Sequence, residues 1–392
     1  MFQPVLPTRT RPPRHPELGP AGWGTSSAPS GLPFATSGPG AAWELSTRLA
    51  YRLGVDSLAP LLAVPTLEGD LARLEGALDA SVASTDPFLT QVAAHLLPAG
   101  GKRLRPALAM VVGALDGSPA AEDVVSGACA VELVHLGSLY HDDVMDEATT
   151  RRGVESVNAR WGNLVAILAG DYLLARASEI AASLGTEVAG LLAATIGRLC
   201  EGQVGELAHA FDLGRSEAAY LTSIEGKTAS LMATACRVGA ITAGLDRRSV
   251  EALTTYGQRL GMAFQIVDDV LDVVASPAEL GKPAGNDLLE GVYTLPVIRA
   301  LAIPATRAEL GPLLGRGMSP DDVEAARALV QSNGAVASSL EVARAFAAGA
   351  SAAVAEVEPV VAGATGRTGY EALAGLGERL VERAATLTAV AG

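Results

Sequence analysis

The sequence predicts an all-α protein, and three observations carry that expectation. Alanine, leucine and valine dominate a chain that is 49% hydrophobic but only 4% aromatic, a composition that suits closely packed helices better than a β-sandwich. Apolar residues recur at helical spacing in one segment after another from about Leu67 onward. No stretch sustains period-two alternation of β-branched residues, so no sheet is expected. At 392 residues the chain is long enough for one large core, and no fixed-period repeat divides it.

Taken in order, residues 1–45 are rich in Pro, Gly, Ser and Thr without an apolar period. They cannot bury enough surface to fold and read as a disordered tail, and they lack the compact apolar segment of a secretory signal. Residues 46–392 form one all-α domain. Helices are expected over 66–84, 87–97, 105–115, 119–146, 157–184 and 187–211. Further helices are expected over 217–243, 249–274, 287–301, 320–331, 336–361 and 369–388. The pairs Asp86-Pro87, Ser118-Pro119 and Ser319-Pro320 each set a capping side chain before a proline suited to the first helical turn. The longest apolar run, 345–355, falls short of the roughly 18 residues that span a bilayer, and Arg344 and Glu356 flank it.

A net charge of −14 argues against a nucleic-acid partner. Cys129, Cys200 and Cys236 are few, odd in number and far apart. They form neither a disulfide framework nor a zinc site, which favours a reducing, cytoplasmic setting. Lysine is scarce: Lys102, Lys227 and Lys282 stand in a chain that otherwise uses arginine. Each lies in a polar or glycine-flanked motif, as expected of point charges kept for particular places.

The densest motif is VELVHLGSLYHDDVMDEATTRRG, from Val131 to Gly153. Helical spacing puts Asp142 and Asp146 on one face with Asp143 beside them. Carboxylates that close repel one another unless a cation sits between them, and oxygen-only ligands suit a hard ion such as Mg²⁺, whose shell is completed by water and phosphate. Arg151 and Arg152, just downstream, offer guanidinium forks that match phosphate oxygens. One such motif alone also fits a solvated acidic turn. A second, FQIVDDVLD, repeats the spacing in Asp268, Asp269 and Asp272. Two acidic helices facing one cavity need divalent ions and an anion between them.

Upstream, Gly100-Gly101-Lys102-Arg103-Leu104-Arg105-Pro106 sets paired glycines before three cations at a helix start, an anion cradle. His135 lies about two turns before the first aspartates, where a core histidine is the plainer reading. Gly170-Asp171-Tyr172, Gln203 and Glu206 interrupt otherwise apolar helical stretches. Lys227-Thr228 sits in GKTASL, which lacks the spacing of a P-loop.

In the order GGKRLRP, HDDVMDEATTRRG, GDYL, GKTASL, FQIVDDVLD and GKPAGNDLLEGVYTLP, the chain from about Asp86 resembles the trans-polyprenyl diphosphate synthases of the polyprenyl synthetase family. The resemblance implies an isoprenoid-synthase helical bundle around a deep apolar cavity with the aspartate motifs at its mouth. It implies that Asp142, Asp143 and Asp146 hold Mg²⁺, with Mn²⁺ as a substitute, against an allylic diphosphate. Asp268 is the opposing metal ligand, and Asp269 and Asp272 complete the second motif. Lys102, Arg105, His135 and Arg152 would bind isopentenyl diphosphate. Arg151, Lys227 and Lys282 would grip the allylic diphosphate, with Thr228 and Gln265 lining the reaction centre. Val292 departs from the family's pattern, since many members carry lysine there.

The resemblance also implies a homodimer, and a peripheral membrane contact through which a long product leaves. Family members stop chain growth with bulky residues four and five positions before the first motif. Here these are Ser138 and Gly137, so a product of C30 to C50 is expected rather than C15 or C20. A class I terpene cyclase would need no isopentenyl site, and a non-catalytic subunit would have lost charged motif residues.

Overall fold

The computed structural model describes residues 62, 64–101, 103–275, 285–357 and 366–391. The expected tail, Lys102 and Lys282 lie outside them. In chain order the elements are α1 (Leu67–Ser81), α2 (Pro87–Ala93), α3 (Leu104–Gly113), α4 (Glu122–Met145), β1 (Thr150–Arg151), β2 (Val154–Glu155), α5 (Val157–Trp161), α6 (Asn163–Ser183) and α7 (Thr186–Leu207). Then come α8 (Glu217–Ile224), a π-helical turn (Glu225–Ala229), α9 (Ser230–Thr242), α10 (Arg247–Val274) and α11 (Asn286–Glu290). The chain ends in α12 (Leu295–Leu301), α13 (Pro304–Leu310), α14 (Pro320–Ser332), α15 (Ala335–Ala355) and α16 (Gly366–Ala391).

Two of the three proline caps form as expected. The Asp86 carboxylate accepts from the amides of Phe88 and Leu89, and Ser319 forms a reciprocal capping box with Asp322. Ser118 does not cap: its amide and hydroxyl both donate to Asp116 Oδ1, and α4 starts only at Glu122. Two expected helices divide at glycines with left-handed backbone, Gly162 (φ 87°) and Gly291 (φ 74°). The short helix α13, which begins at Pro304, is an addition.

The absence of strands needs one correction. β1 and β2 pair antiparallel, Thr150 opposite Glu155 and Arg151 opposite Val154. Arg152 and Gly153 between them both have positive φ, 53° and 77°, the requirement of a two-residue type I′ hairpin. Two residues per strand are too few for an alternation to register.

Helix α4 is apolar on nearly every side and packs against α3, α6 and α9. Helix α10 packs against α9, α15 and α16. Glycine sets one of these crossings: a Cβ on Gly239 of α9 would lie 2.2 Å from the carbonyl oxygen of Ala109 in α3. This packing fixes the ends of α4 and α10, where the two aspartate motifs lie. A helix C-terminus carries partial negative charge, so acidic clusters there are disfavoured unless cations join them.

Candidate active site

Each aspartate motif is split by the structure into open and committed carboxylates. In the first, Asp142 is half-buried and Asp146 exposed, and among the described residues neither carboxylate has a hydrogen bond or ion pair. Asp143 is fully buried, and its Oδ1 accepts from Arg151 Nε and Nη2 at 2.6 and 2.5 Å. In the second motif Asp268 is half-buried, again with no such partner among the described residues. Asp269 is buried and accepts from the Tyr220 hydroxyl at 2.5 Å and from Gln265 Nε2 at 2.7 Å. Asp272 is buried and accepts from the Asp287 amide at 3.3 Å.

Two of the expected metal ligands, Asp143 and Asp272, have partners within the protein. Asp143 and Asp272 do not join the open carboxylates: one is clamped by Arg151, the other tied to the start of α11. Arg151, expected on a diphosphate, donates to Asp143. The open set, Asp142, Asp146 and Asp268, is all oxygen and fits a hard divalent ion. Among the described residues no group of three or more His, Cys, Asp or Glu side chains could by itself hold a metal ion.

Lys227 and Glu206 link the motifs. Lys227 sits in the π-helical turn and donates to Glu206 on α7. Burial pulls its pKa down, but Glu206, Asp142 and Asp146 outweigh this and hold the ammonium above its usual range. Its neighbour Thr228 donates to Gln265 Oε1 at 2.7 Å, so a hydrogen-bonded chain runs Thr228–Gln265–Asp269–Tyr220. Burial, with Asp146 adding to it, pushes the Asp142 carboxyl up to about 6 against the pull of Lys227. Burial likewise pushes Asp269 to about 7, despite the hydrogen bonds from Tyr220 and Gln265. Lys227, Thr228, Gln265 and Asp269 line a cleft of about 110 Å³.

A second cluster of cations gathers around the glycine pair. Arg105 Nη1 lies 3.3 Å from His135 Nε2. Arginine can only donate, so the imidazole accepts and is neutral. Burial and then Arg105, Arg152, Arg103 and Arg151 hold the His135 pKa well below its ordinary value. Arg152 donates to the Gly100 carbonyl, and a Cβ on Gly101 would lie 2.8 Å from its guanidinium. The bare Gly101 is what lets Arg152 lie there. Arg103 turns inward instead, onto Glu132 at 2.7 Å and Glu75 at 2.8 Å.

Gly137, one of the small residues expected to let the product grow, lies at a close crossing of α4 and α6. A Cβ there would meet the Gly170 carbonyl oxygen at 3.1 Å and the Leu174 side chain at 3.2 Å, so its smallness serves the α4–α6 crossing. Ser138 stays half-buried and bonds to the His135 carbonyl within its own helix. Sequence reasoning assigned no role to Glu206 or Tyr220, and it counted Arg103 among the cradle cations, whereas Arg103 pairs with Glu75 and Glu132. A signal existed for Tyr220, one of seven tyrosines, two helical turns before Lys227.

Residues 86–330 match the Polyprenyl synthetase family. The chain is 40% identical over 276 residues to the nonaprenyl diphosphate synthase of Mycobacterium tuberculosis, covering 70% of this chain and 82% of that protein. A decaprenyl diphosphate synthase from Rhodobacter capsulatus is similar in structure, with TM-score 0.72 and 35% identity over 86% of this chain and 98% of that one. A geranylgeranyl pyrophosphate synthase from Corynebacterium glutamicum, complexed with calcium and isoprenyl diphosphate, superposes with TM-score 0.70 and 37% identity over 81% and 96%. Fold, acidic motifs and these likenesses agree, and the chain belongs to the polyprenyl synthetase family.

Proposed function

We propose that the protein condenses isopentenyl diphosphate with an allylic prenyl diphosphate, repeatedly, to an all-trans polyprenyl diphosphate. The observation that carries this reading is the Lys227–Glu206 pair beside Asp142 and Asp146, which have no partner among the described residues, in a cleft shared with Asp269, with a separate cationic pocket at Arg105, His135 and Arg152. Two anion sites of different make-up suit two diphosphate substrates. In this assignment Asp142, Asp146 and Asp268 hold Mg²⁺, with Mn²⁺ as a substitute, and Lys227 contacts the allylic diphosphate. Asp143, Asp269 and Asp272 position Arg151, Gln265 and the start of α11. Lys102 and Lys282 join the isopentenyl and allylic sets by resemblance.

Bound Mg²⁺ would neutralise charge that grows on the departing diphosphate. Lys227 adds a fixed positive charge there as the allylic C–O bond breaks and its electron pair leaves with the diphosphate. The neutral His135 and the two arginines hold isopentenyl diphosphate so that its double bond attacks the cation. Loss of one proton to the released diphosphate then gives an allylic diphosphate five carbons longer. Water must be kept out meanwhile, which the apolar interior favours.

A product of C30 to C50 is supported by the small Ser138 one turn below Asp142 and by likeness to the nonaprenyl and decaprenyl synthases. Among the described residues no helix is long and apolar enough to cross a membrane, in keeping with a cytoplasmic enzyme that meets membrane only when product leaves. Leu164, Ile167 and Leu168 on α6 and Val204 and Leu207 on α7 are 41% to 71% exposed. Such an apolar face supports a homodimer formed through it.

Purified chain given labelled isopentenyl diphosphate, Mg²⁺ and a series of primers should form products beyond C20. His135→Ala should mainly raise KM for isopentenyl diphosphate, and Lys227→Ala KM for the allylic partner, since lost ground-state contacts appear in KM. Equal effects of both variants on both substrates would contradict two separate sites, and products ending at C15 or C20 would remove the long-chain reading.

The raised carboxyl pKa values give a pH dependence. Unfolded aspartates ionise near ~4, whereas folded Asp142 and Asp269 do so at about 6 and about 7. The unfolded state thus releases these protons first, and metal-free stability from these groups falls as pH rises from about 4 to 7. Mg²⁺ should therefore raise the melting temperature more at pH 8 than at pH 5 in a thermal-shift measurement. An equal rise at both would show that it does not bind at Asp142.

A further inference from the structure

The loop between α7 and α8 carries an arginine that no role above absorbs. Arg215 is only 5% exposed, yet it lines the same cleft as Lys227, Thr228 and Asp269. Its Nη1 donates to the Tyr293 carbonyl at 3.2 Å, and the guanidinium lies 5.6 Å from the Tyr220 ring centroid. Its Nε and Nη2 are buried with no hydrogen-bond partner among the described residues. A buried donor left unpaired costs about 1–3 kcal/mol, more when charged, and natural structures retain few. Burial draws its pKa down, while Glu206 is the largest opposing influence.

The loop is fastened where it must be for this to matter. The Phe211 amide donates to the Gly291 carbonyl at 2.8 Å, and a Cβ on Gly291 would collide with the Phe211 ring at 2.5 Å. Arg215 therefore reaches the backbone beside Val292, a cleft-lining residue that brings no charge. At this end the cleft also presents Asp287 and Glu290, so an anion entering it needs a local cation. Lys227 is held by Glu206, whereas the guanidinium edge of Arg215 has nothing to hold.

We propose that Arg215 is a diphosphate-binding residue, whose Nε–H and Nη2–H take phosphate oxygens at the end of the cleft where Val292 supplies no charge. This rests on reading the cleft as the allylic site. A guanidinium edge presents two parallel donors, the geometry that phosphate oxygens accept. The charge expected from position 292 is thus delivered from the opposite loop.

The test is relocation of the charge. Arg215→Gln should raise KM for the allylic diphosphate and the Kd of inorganic diphosphate with Mg²⁺ by about tenfold, the scale of one charge-assisted hydrogen bond. KM for isopentenyl diphosphate should stay within about twofold of wild type. Adding Val292→Lys to Arg215→Gln should restore most of the loss. An unchanged diphosphate Kd in a folded Arg215→Gln protein, or a loss that Val292→Lys leaves in place, overturns the assignment and makes Arg215 a strut for the Tyr293 loop.

Val292→Lys in the otherwise wild-type chain keeps the idea testable should Arg215→Gln not fold. With Arg215 already serving the site, it should tighten diphosphate by less than about threefold. A tightening of about tenfold, the same hydrogen-bond scale, would show that the charge was missing and would overturn the assignment. Lys227→Ala run alongside separates the two levels. If it too leaves allylic KM unchanged, the reading of the cleft as the allylic site fails; if only the Arg215 result is negative, that reading stands.

Discussion

Replacing Asp142 or Asp268 by alanine should lower kcat by about two to three orders of magnitude, the cost of losing one well-placed stabiliser of transition-state charge. Both carboxylates are half-buried and unpaired among the described residues, so no described residue competes for their oxygens. The same substitution at Asp143 acts differently. Asp143 is fully buried against Arg151, and its loss frees a guanidinium and weakens the hairpin that carries it. Asp143→Ala should therefore show first in the melting temperature, whereas Asp142→Ala should show in kcat and in the Mg²⁺ concentration needed for half-maximal rate. Single-turnover rates at several Mg²⁺ concentrations, with melting curves for each variant, distinguish the two. Full wild-type activity in excess EDTA, or an Asp268→Ala enzyme with normal kcat, would sink the metal assignment.

This division of labour marks how far sequence reasoning reaches. Spacing of i and i+4 is enough to set Asp142 and Asp146 on one face, because both residues belong to one helix. The same spacing pairs Asp268 with Asp272, yet Asp272 is buried beneath the start of α11 and accepts from the Asp287 amide. That partner is fifteen residues away beyond the helix end, and no helical period can report it. Gly137 is a similar case. A missing side chain reads equally as space for a ligand or space for a neighbouring helix, and here α6 takes it.

The long helices were legible because apolar faces repeat over several turns. The breaks at Gly162 and Gly291 depend on single backbone angles, which an apolar period passes over. The two clusters of cations show the same limit. Arg103, Arg105 and Arg152 all come near the paired glycines, but only tertiary contacts sort them. Glu75 and Glu132 claim Arg103, leaving Arg105 and Arg152 beside His135. Composition had suggested that the rare lysines mark special places, and Lys227 does stand between the two motifs.

Gly202→Ala should displace the turn that carries Lys227. Gly202 on α7 and Gly226 in the π-helical turn meet backbone to backbone. A Cβ on Gly202 would lie 2.4 Å from the Lys227 amide nitrogen and 2.9 Å from the Ser223 carbonyl oxygen. A Cβ on Gly226 would lie 2.8 Å from the Arg198 carbonyl oxygen. No flexible side chain is there to yield, so an added methyl must push the turn away from α7. Overpacking of this kind costs about 1–3 kcal/mol. The turn carries Lys227 and Thr228, so the ammonium moves relative to Asp142 and the Thr228–Gln265 hydrogen bond weakens. A displacement near 1 Å at a reacting group can cost about a hundredfold, and the expected outcome is a loss of that order in kcat/KM for the allylic substrate. Gly76→Ala on α1, where a Cβ meets nothing within 4 Å, is the control: it should gain up to about 1 kcal/mol of helix propensity and leave kinetics alone. A Gly202→Ala enzyme that keeps its allylic kcat/KM would mean that the approach of α7 to the turn does not position Lys227.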